Sequence, residues 1–90
     1  MSSASILMYA TGWCPYCERA RTLLRGKGVA FDEVDLDTLP ERRAEMVDRS
    51  GRHTVPQIFI GERHIGGSDD LHALEAAGQL DALLQAAREV

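Results

Sequence analysis

Short apolar runs alternate with amphipathic stretches along this chain, and their order leaves few folds open. Ser5 to Ala10 (SILMYA), closed by Thr11-Gly12, reads as a buried strand. Pro15 to Lys27 favours helix. Pro15 suits a first helical position, where its missing N–H would be unpaired anyway. Cys17, Ala20, Leu23 and Leu24 form one inward stripe, ended by Gly26 and Gly28. Phe31 to Leu36 alternates with one slip and predicts a second strand. Leu39 to Ser50 predicts a second helix, with Pro40 in its first turn, Leu39, Met46 and Val47 inward, and Ser50-Gly51 as its close. Gln57 to Ile60 and Arg63 to Ile65 predict two strands joined by the Gly61-Glu62 turn. Gly66-Gly67 breaks the chain. Ser68 as N-cap and Asp69-Asp70 in the first turn then open a third helix, with Leu71 and Leu74 inward. After Gly78, Leu80, Leu83, Leu84 and Ala87 continue as a last helical piece.

The order β-α-β-α-β-β-α predicts an α/β domain. Its first βαβ unit gives two parallel strands by the right-handed crossover rule, and the hairpin adds two antiparallel ones. The expected result is a four-stranded mixed sheet with helices on both faces, and Cys14 just past the first strand. With 90 residues there is room for one core, so residues 1–90 are read as a single domain.

A net charge of −4 argues against nucleic acid, whose binders carry a basic stripe. The basic pairs Arg42-Arg43 and Arg49 to Arg52 are interleaved with Glu41, Glu45 and Asp48, which reads as a solvated helix face. The N-terminal segment has no basic n-region and an apolar run of only Ile6 to Ala10, and no stretch has the length of a membrane span. A cytoplasmic monomer that touches no membrane is therefore expected.

In a reducing compartment the only two cysteines, Cys14 and Cys17, stand at i and i+3. A disulfide between them would close too small a loop to constrain the unfolded chain. A zinc site needs about four ligands, and His53, His64 and His72 do not supply the missing spacing, so no metal is expected. Two inert small hydrophobes or a redox pair remain, and the spacing at a helix start favours the redox pair. A helix start presents free N–H groups and partial positive charge, which favour a thiolate, the nucleophilic form. Cys14 has that place. Cys17 lies one turn further in, on the apolar face, buried and protonated, where it can attack a mixed disulfide at Cys14. Pro15 stiffens the turn and Tyr16 projects outward. His53 and His64 are read as exposed loop histidines.

CPYC after an apolar strand, TVPQIFIG at Thr54 to Gly61 and GGSDDL at Gly66 to Leu71 together resemble a dithiol glutaredoxin, over nearly the whole chain. The resemblance implies a thioredoxin-like fold and a thiol–disulfide oxidoreductase that draws electrons from glutathione, its reducing co-substrate. It implies Cys14 as nucleophile and Cys17 as resolving thiol. Thr54, Val55 and Pro56 match a segment whose proline is cis and whose backbone, at Val55, pairs with the cysteinyl part of glutathione. Gly67, Ser68 and Asp69 match the site for the γ-glutamyl end, where a helix N-terminus suits a carboxylate and Asp69 an ammonium. Tyr16 would line the same groove. By family analogy the partners are glutathione and glutathionylated or disulfide-bonded client proteins, ribonucleotide reductase among them.

Two departures stand out. Many glutaredoxins carry lysine three residues before the nucleophile, and here that position is Thr11. Arg52 matches a basic position in some members and is expected to hold the glycyl carboxylate instead. Weaker glutathione binding is expected as a result. Ser68 stands where some members have a third cysteine, which removes one route to oxidative dimers. Two alternatives stay open: a redoxin reduced by thioredoxin reductase, which Trp13 beside Cys14 suggests, and a glutaredoxin holding an iron–sulfur cluster between subunits, which Pro15 opposes.

Overall fold

The computed structural model describes residues 6–88. Ser5, the first residue of the predicted opening strand, lies outside the described residues. Strand β1 (Ile6–Ala10) leads into helix α1 (Pro15–Gly26), strand β2 (Asp32–Asp35), a 3-10 turn (Pro40–Arg42) and helix α2 (Arg43–Ser50). Strands β3 (Gln57–Ile60) and β4 (Arg63–Gly66) follow, then helices α3 (Ser68–Ala76) and α4 (Leu80–Arg88). The four strands form one sheet in the order β2-β1-β3-β4. The β1–β2 pair is parallel, and the β1–β3 and β3–β4 pairs are antiparallel. This is the mixed sheet expected from the order of elements, in the thioredoxin-like arrangement that the resemblance implies.

Strand periodicity splits the interior into two layers. Ile6, Met8 and Ala10 of β1 and Ile58 and Ile60 of β3 point to one face. There they meet Cys17, Ala20 and Leu24 of α1, Leu71 of α3, and Leu80, Leu84 and Ala87 of α4. Tyr9 and Phe59 point to the other face, against Val34, Leu36 and Met46. Because β1 and β3 are covered on both faces, β3 reads as an unbroken apolar run apart from Gln57, and all four of its residues are buried.

The predicted second helix is shorter than Leu39 to Ser50. Pro40 pushes the residue before it out of the helical region, and Leu39 sits at φ −127°, ψ 62°. A 3-10 turn therefore precedes α2, and Leu39 is 38% exposed rather than inward. Ser68 is not the N-cap of α3. Gly67 takes that place in extended geometry, and its N–H donates to Asp70 Oδ2 at 2.9 Å. Ser68 is the first helical residue and is buried. His64 is not an exposed loop residue either. It lies half-buried in β4, its ring 5.0 Å from that of Phe59. His53 is exposed, as expected, and its carbonyl accepts from Arg43 Nη1 at 2.8 Å.

Candidate active site

The spacing of the two cysteines is the spacing of a helix cap. Cys14 is the N-cap of α1, in extended geometry at φ −153°, ψ 109°, and Pro15 is the first helical residue. A cap side chain accepts the N–H three residues on. Here that donor is the Cys17 amide, 3.2 Å from Cys14 Sγ. Sulfur thus takes the place of the usual serine or aspartate oxygen, at the positive end of the helix dipole. Val55 carbonyl oxygen lies 4.0 Å from the same sulfur. Cys14 is partly exposed, whereas Cys17 is fully buried against the sheet, so an incoming disulfide meets Cys14 first.

Burial pushes the Cys17 thiol up to about 12, aided by its hydrogen bond and charge repulsion with Cys14. The backbone of Thr11 and the positive charge of Arg21 work in the opposite direction. Arg21 was not singled out from sequence. Its side chain is mostly buried and donates from Nε to both carboxylate oxygens of Glu33 at 2.9 and 3.0 Å. Its Nη1 reaches Glu18 at 3.1 Å, and its Nη2 reaches the Thr11 carbonyl at 3.0 Å. The guanidinium thereby pins the loop before Cys14 to α1 and β2. A signal was present: Arg21 follows Cys17 at i+4, on the inward stripe, and β2 reads DEVD.

Beside Cys14 runs a groove of about 300 Å³ lined by Tyr16, Arg52, Thr54, Val55, Pro56, Gly67, Ser68, Asp69 and Asp70. The structure brings these residues together from α1, the loop before β3 and the start of α3. The Val55–Pro56 bond is cis. Tyr16 is 56% exposed over the groove. Neither Thr11 nor Cys14 is itself in the lining; Cys14 Sγ meets it through Val55, and the Thr11 carbonyl accepts from Arg21 Nη2. Asp69 is exposed, and the acid next to it does the local work. Asp70 caps Gly67 and also pairs with Arg52 Nη1 at 3.0 Å. The Gly67 N–H, then Arg52, hold its carboxyl below the ordinary aspartate range. Sequence reasoning missed Asp70 because it took Ser68 as the cap; counted from Gly67, Asp70 is the third helical residue, where a capping acid belongs.

A larger hollow, about 540 Å³, lies between α1 and α3 and is lined by Glu18, Leu23, Lys27, His72 and Glu75 among others. Neither hollow has a cysteine in its lining, but the smaller groove reaches Cys14 Sγ through the Val55 carbonyl, so chemistry rather than volume identifies the site. Trp13, one residue before Cys14, is 88% exposed.

Comparison with known proteins gives a consistent result. The glutaredoxin family model matches residues 6–65. A glutaredoxin of Pseudomonas aeruginosa is 60% identical over 81 residues, spanning 90% of this chain and 96% of that protein. Glutaredoxin 3 of Escherichia coli is 55% identical over 82 residues, spanning 91% of this chain and 99% of that protein. Among solved structures, the buckwheat glutaredoxin–glutathione complex superposes with a TM-score of 0.87 at 28% identity, over 93% of this chain and 79% of that one. A family match across most of the chain and a shared frame of sheet and helices mean that the protein belongs to the glutaredoxin family, and its chemistry is thiol–disulfide exchange.

Proposed function

We propose that the protein uses glutathione to reduce mixed disulfides at Cys14 alone and protein disulfides through Cys14 and Cys17 together. The observation that carries this reading is the groove beside Cys14, which gathers the Val55 backbone, Arg52 and the start of α3 around one hollow. A tripeptide with a thiol in its middle and a carboxylate at each end suits that set of groups. The Val55 backbone offers strand-like pairing to its centre, the α3 N-terminus suits one carboxylate and Arg52 the other. That a glutaredoxin with glutathione bound is among the similar structures supports the same reading.

In the first reaction the Cys14 thiolate attacks the glutathione sulfur of a client mixed disulfide. The old S–S bond breaks, its electron pair leaves on the client sulfur, and that sulfur takes a proton. Cys14 is then bonded to glutathione. A second glutathione thiolate attacks that glutathione sulfur, releasing glutathione disulfide and restoring the Cys14 thiolate. In the second reaction Cys14 bonds to one sulfur of a protein disulfide. Cys17 gives up its proton and attacks Cys14 Sγ, the client leaves as a dithiol, and two glutathiones reduce the Cys14–Cys17 disulfide.

The environment of Cys17 serves this order. Two of the causes that raise its thiol come from Cys14. Both weaken once the Cys14 sulfur is in a disulfide, while the pull of Arg21 remains. The resolving thiol becomes easier to ionise when it is needed.

The test is a coupled assay on a glutathionylated small disulfide with glutathione, glutathione reductase and NADPH. Turnover is expected. Activity with thioredoxin reductase and none with glutathione would overturn the reading. In the same assay Thr11→Lys is expected to lower KM about two- to fivefold, since a cation near Cys14 attracts the anionic tripeptide. An unchanged KM would overturn the expectation that Thr11 weakens glutathione binding.

A further inference from the structure

We propose that Gln57 and His64 are positioning residues that hold the Thr54–Val55 backbone against Cys14 from inside the protein; this rests on the reading that Val55 pairs with glutathione. Gln57 is the first residue of β3 and fully buried, a place where an apolar side chain would avoid the cost of desolvating an amide. Its polar atoms are all engaged. Nε2 donates to the Thr54 carbonyl at 3.0 Å and contacts Thr54 Oγ1 at 3.2 Å. Its Oε1 lies 2.7 Å from His64 Nε2.

The direction of the chain follows from what each atom can do. A carbonyl oxygen only accepts, so the Gln57 amide nitrogen must face Thr54. Gln57 Oε1 then faces His64 and can only accept, so His64 Nε2 must carry the proton. His64 is itself fixed by its ring contact with Phe59, opposite it on β3. The line His64–Gln57–Thr54 therefore runs from the edge strand, along one face of the sheet, to an exposed loop residue with no strand or helix of its own. Val55, the next residue, places its carbonyl 4.0 Å from Cys14 Sγ. A displaced Thr54 carries the Val55 edge with it. A role of this kind sets how well the substrate is held rather than how fast sulfur attacks sulfur.

The experiment uses two variants of one residue. His64→Phe keeps a ring on Phe59 and removes the donor. His64→Gln places an amide nitrogen the same number of bonds from the backbone as Nε2 and keeps it. On a glutathionylated peptide, His64→Phe is expected to raise KM about five- to tenfold with kcat within about twofold, and His64→Gln to stay within about twofold of wild type in both. An unchanged KM in His64→Phe, an equally impaired His64→Gln, or a kcat that falls in step with kcat/KM would each overturn the proposal. Nitrogen NMR of the unliganded wild type gives a readout independent of folding in the variants and of glutathione. A His64 ring protonated at Nε2 is expected, and a bare Nε2 overturns the chain of hydrogen bonds. If the wild type fails to turn over glutathione mixed disulfides while Nε2 is protonated, the glutathione reading fails and the bonding chain stands. The shift of the Val55 amide in His64→Phe then decides whether the chain positions that backbone: a moved signal supports it, an unmoved one overturns it.

Discussion

Cys14→Ser is expected to abolish turnover, by at least about a thousandfold, on every disulfide substrate, because a serine hydroxyl at neutral pH is no substitute for a thiolate. Cys17→Ser is expected to separate the two reactions. Reduction of a glutathionylated small disulfide should stay within about threefold of wild type, since that cycle never uses Cys17. Reduction of a protein disulfide should fall with the loss of the resolving thiol, leaving the client trapped on Cys14, visible as a covalent adduct on a non-reducing gel. Arg21→Met sharpens the test. The guanidinium charge eases ionisation of Cys17 and the same side chain holds the loop before Cys14, so its loss should slow the dithiol reaction more than the single-thiol reaction. Equal loss in both reactions would mean that Arg21 acts only by anchoring the Thr11 carbonyl.

Gly66→Ala is expected to lower stability by about 2–4 kcal/mol and the melting temperature by roughly 10–25 °C. Gly66 ends β4 at φ +119°, a conformation that costs an L residue dearly. A methyl group there would also run into the Asp70 carboxylate, with Asp70 Cγ only 2.7 Å from the new carbon. Asp70 cannot swing away without losing the Gly67 N–H and Arg52. The same substitution should therefore damage the groove as well as the fold, raising KM in what remains folded. Gly28→Ala is a suitable comparison: its φ is +71°, yet a methyl group there meets nothing within 4 Å, so strain without the clash should cost less. A thermal melt of both variants checks the difference.

Which parts of this molecule could be read without coordinates follows from the range of the forces involved. Strand and helix order, the redox pair and the turn at Gly61-Glu62 depend on residues close in sequence, where periodicity and turn chemistry act. Cys14 at a helix start is such a local fact, because Pro15 and the spacing of three define the cap. The errors came where two local rules competed. Leu39 obeyed the restriction that Pro40 imposes rather than the apolar pattern of α2. Ser68 yielded the cap to Gly67 because Asp70 could satisfy Gly67 from within the helix.

Arg21, Asp70, Gln57 and His64 show the other limit. Arg21 owes its role to Glu33, twelve residues on and brought alongside by the parallel β1–β2 pair. Asp70 meets Arg52 across eighteen residues, and His64 reaches Gln57 only because the hairpin folds β4 onto β3. The amino-acid sequence alone determined the order of elements, the two thiols and the end of the sheet at which they stand, since these follow from patterns a few residues long. The tertiary structure decided which buried polar groups hold the reactive loop and which acid locks the groove. Those choices depend on long-range closure of the sheet, which sets polar atoms from distant segments within hydrogen-bond distance and leaves each one needing a partner.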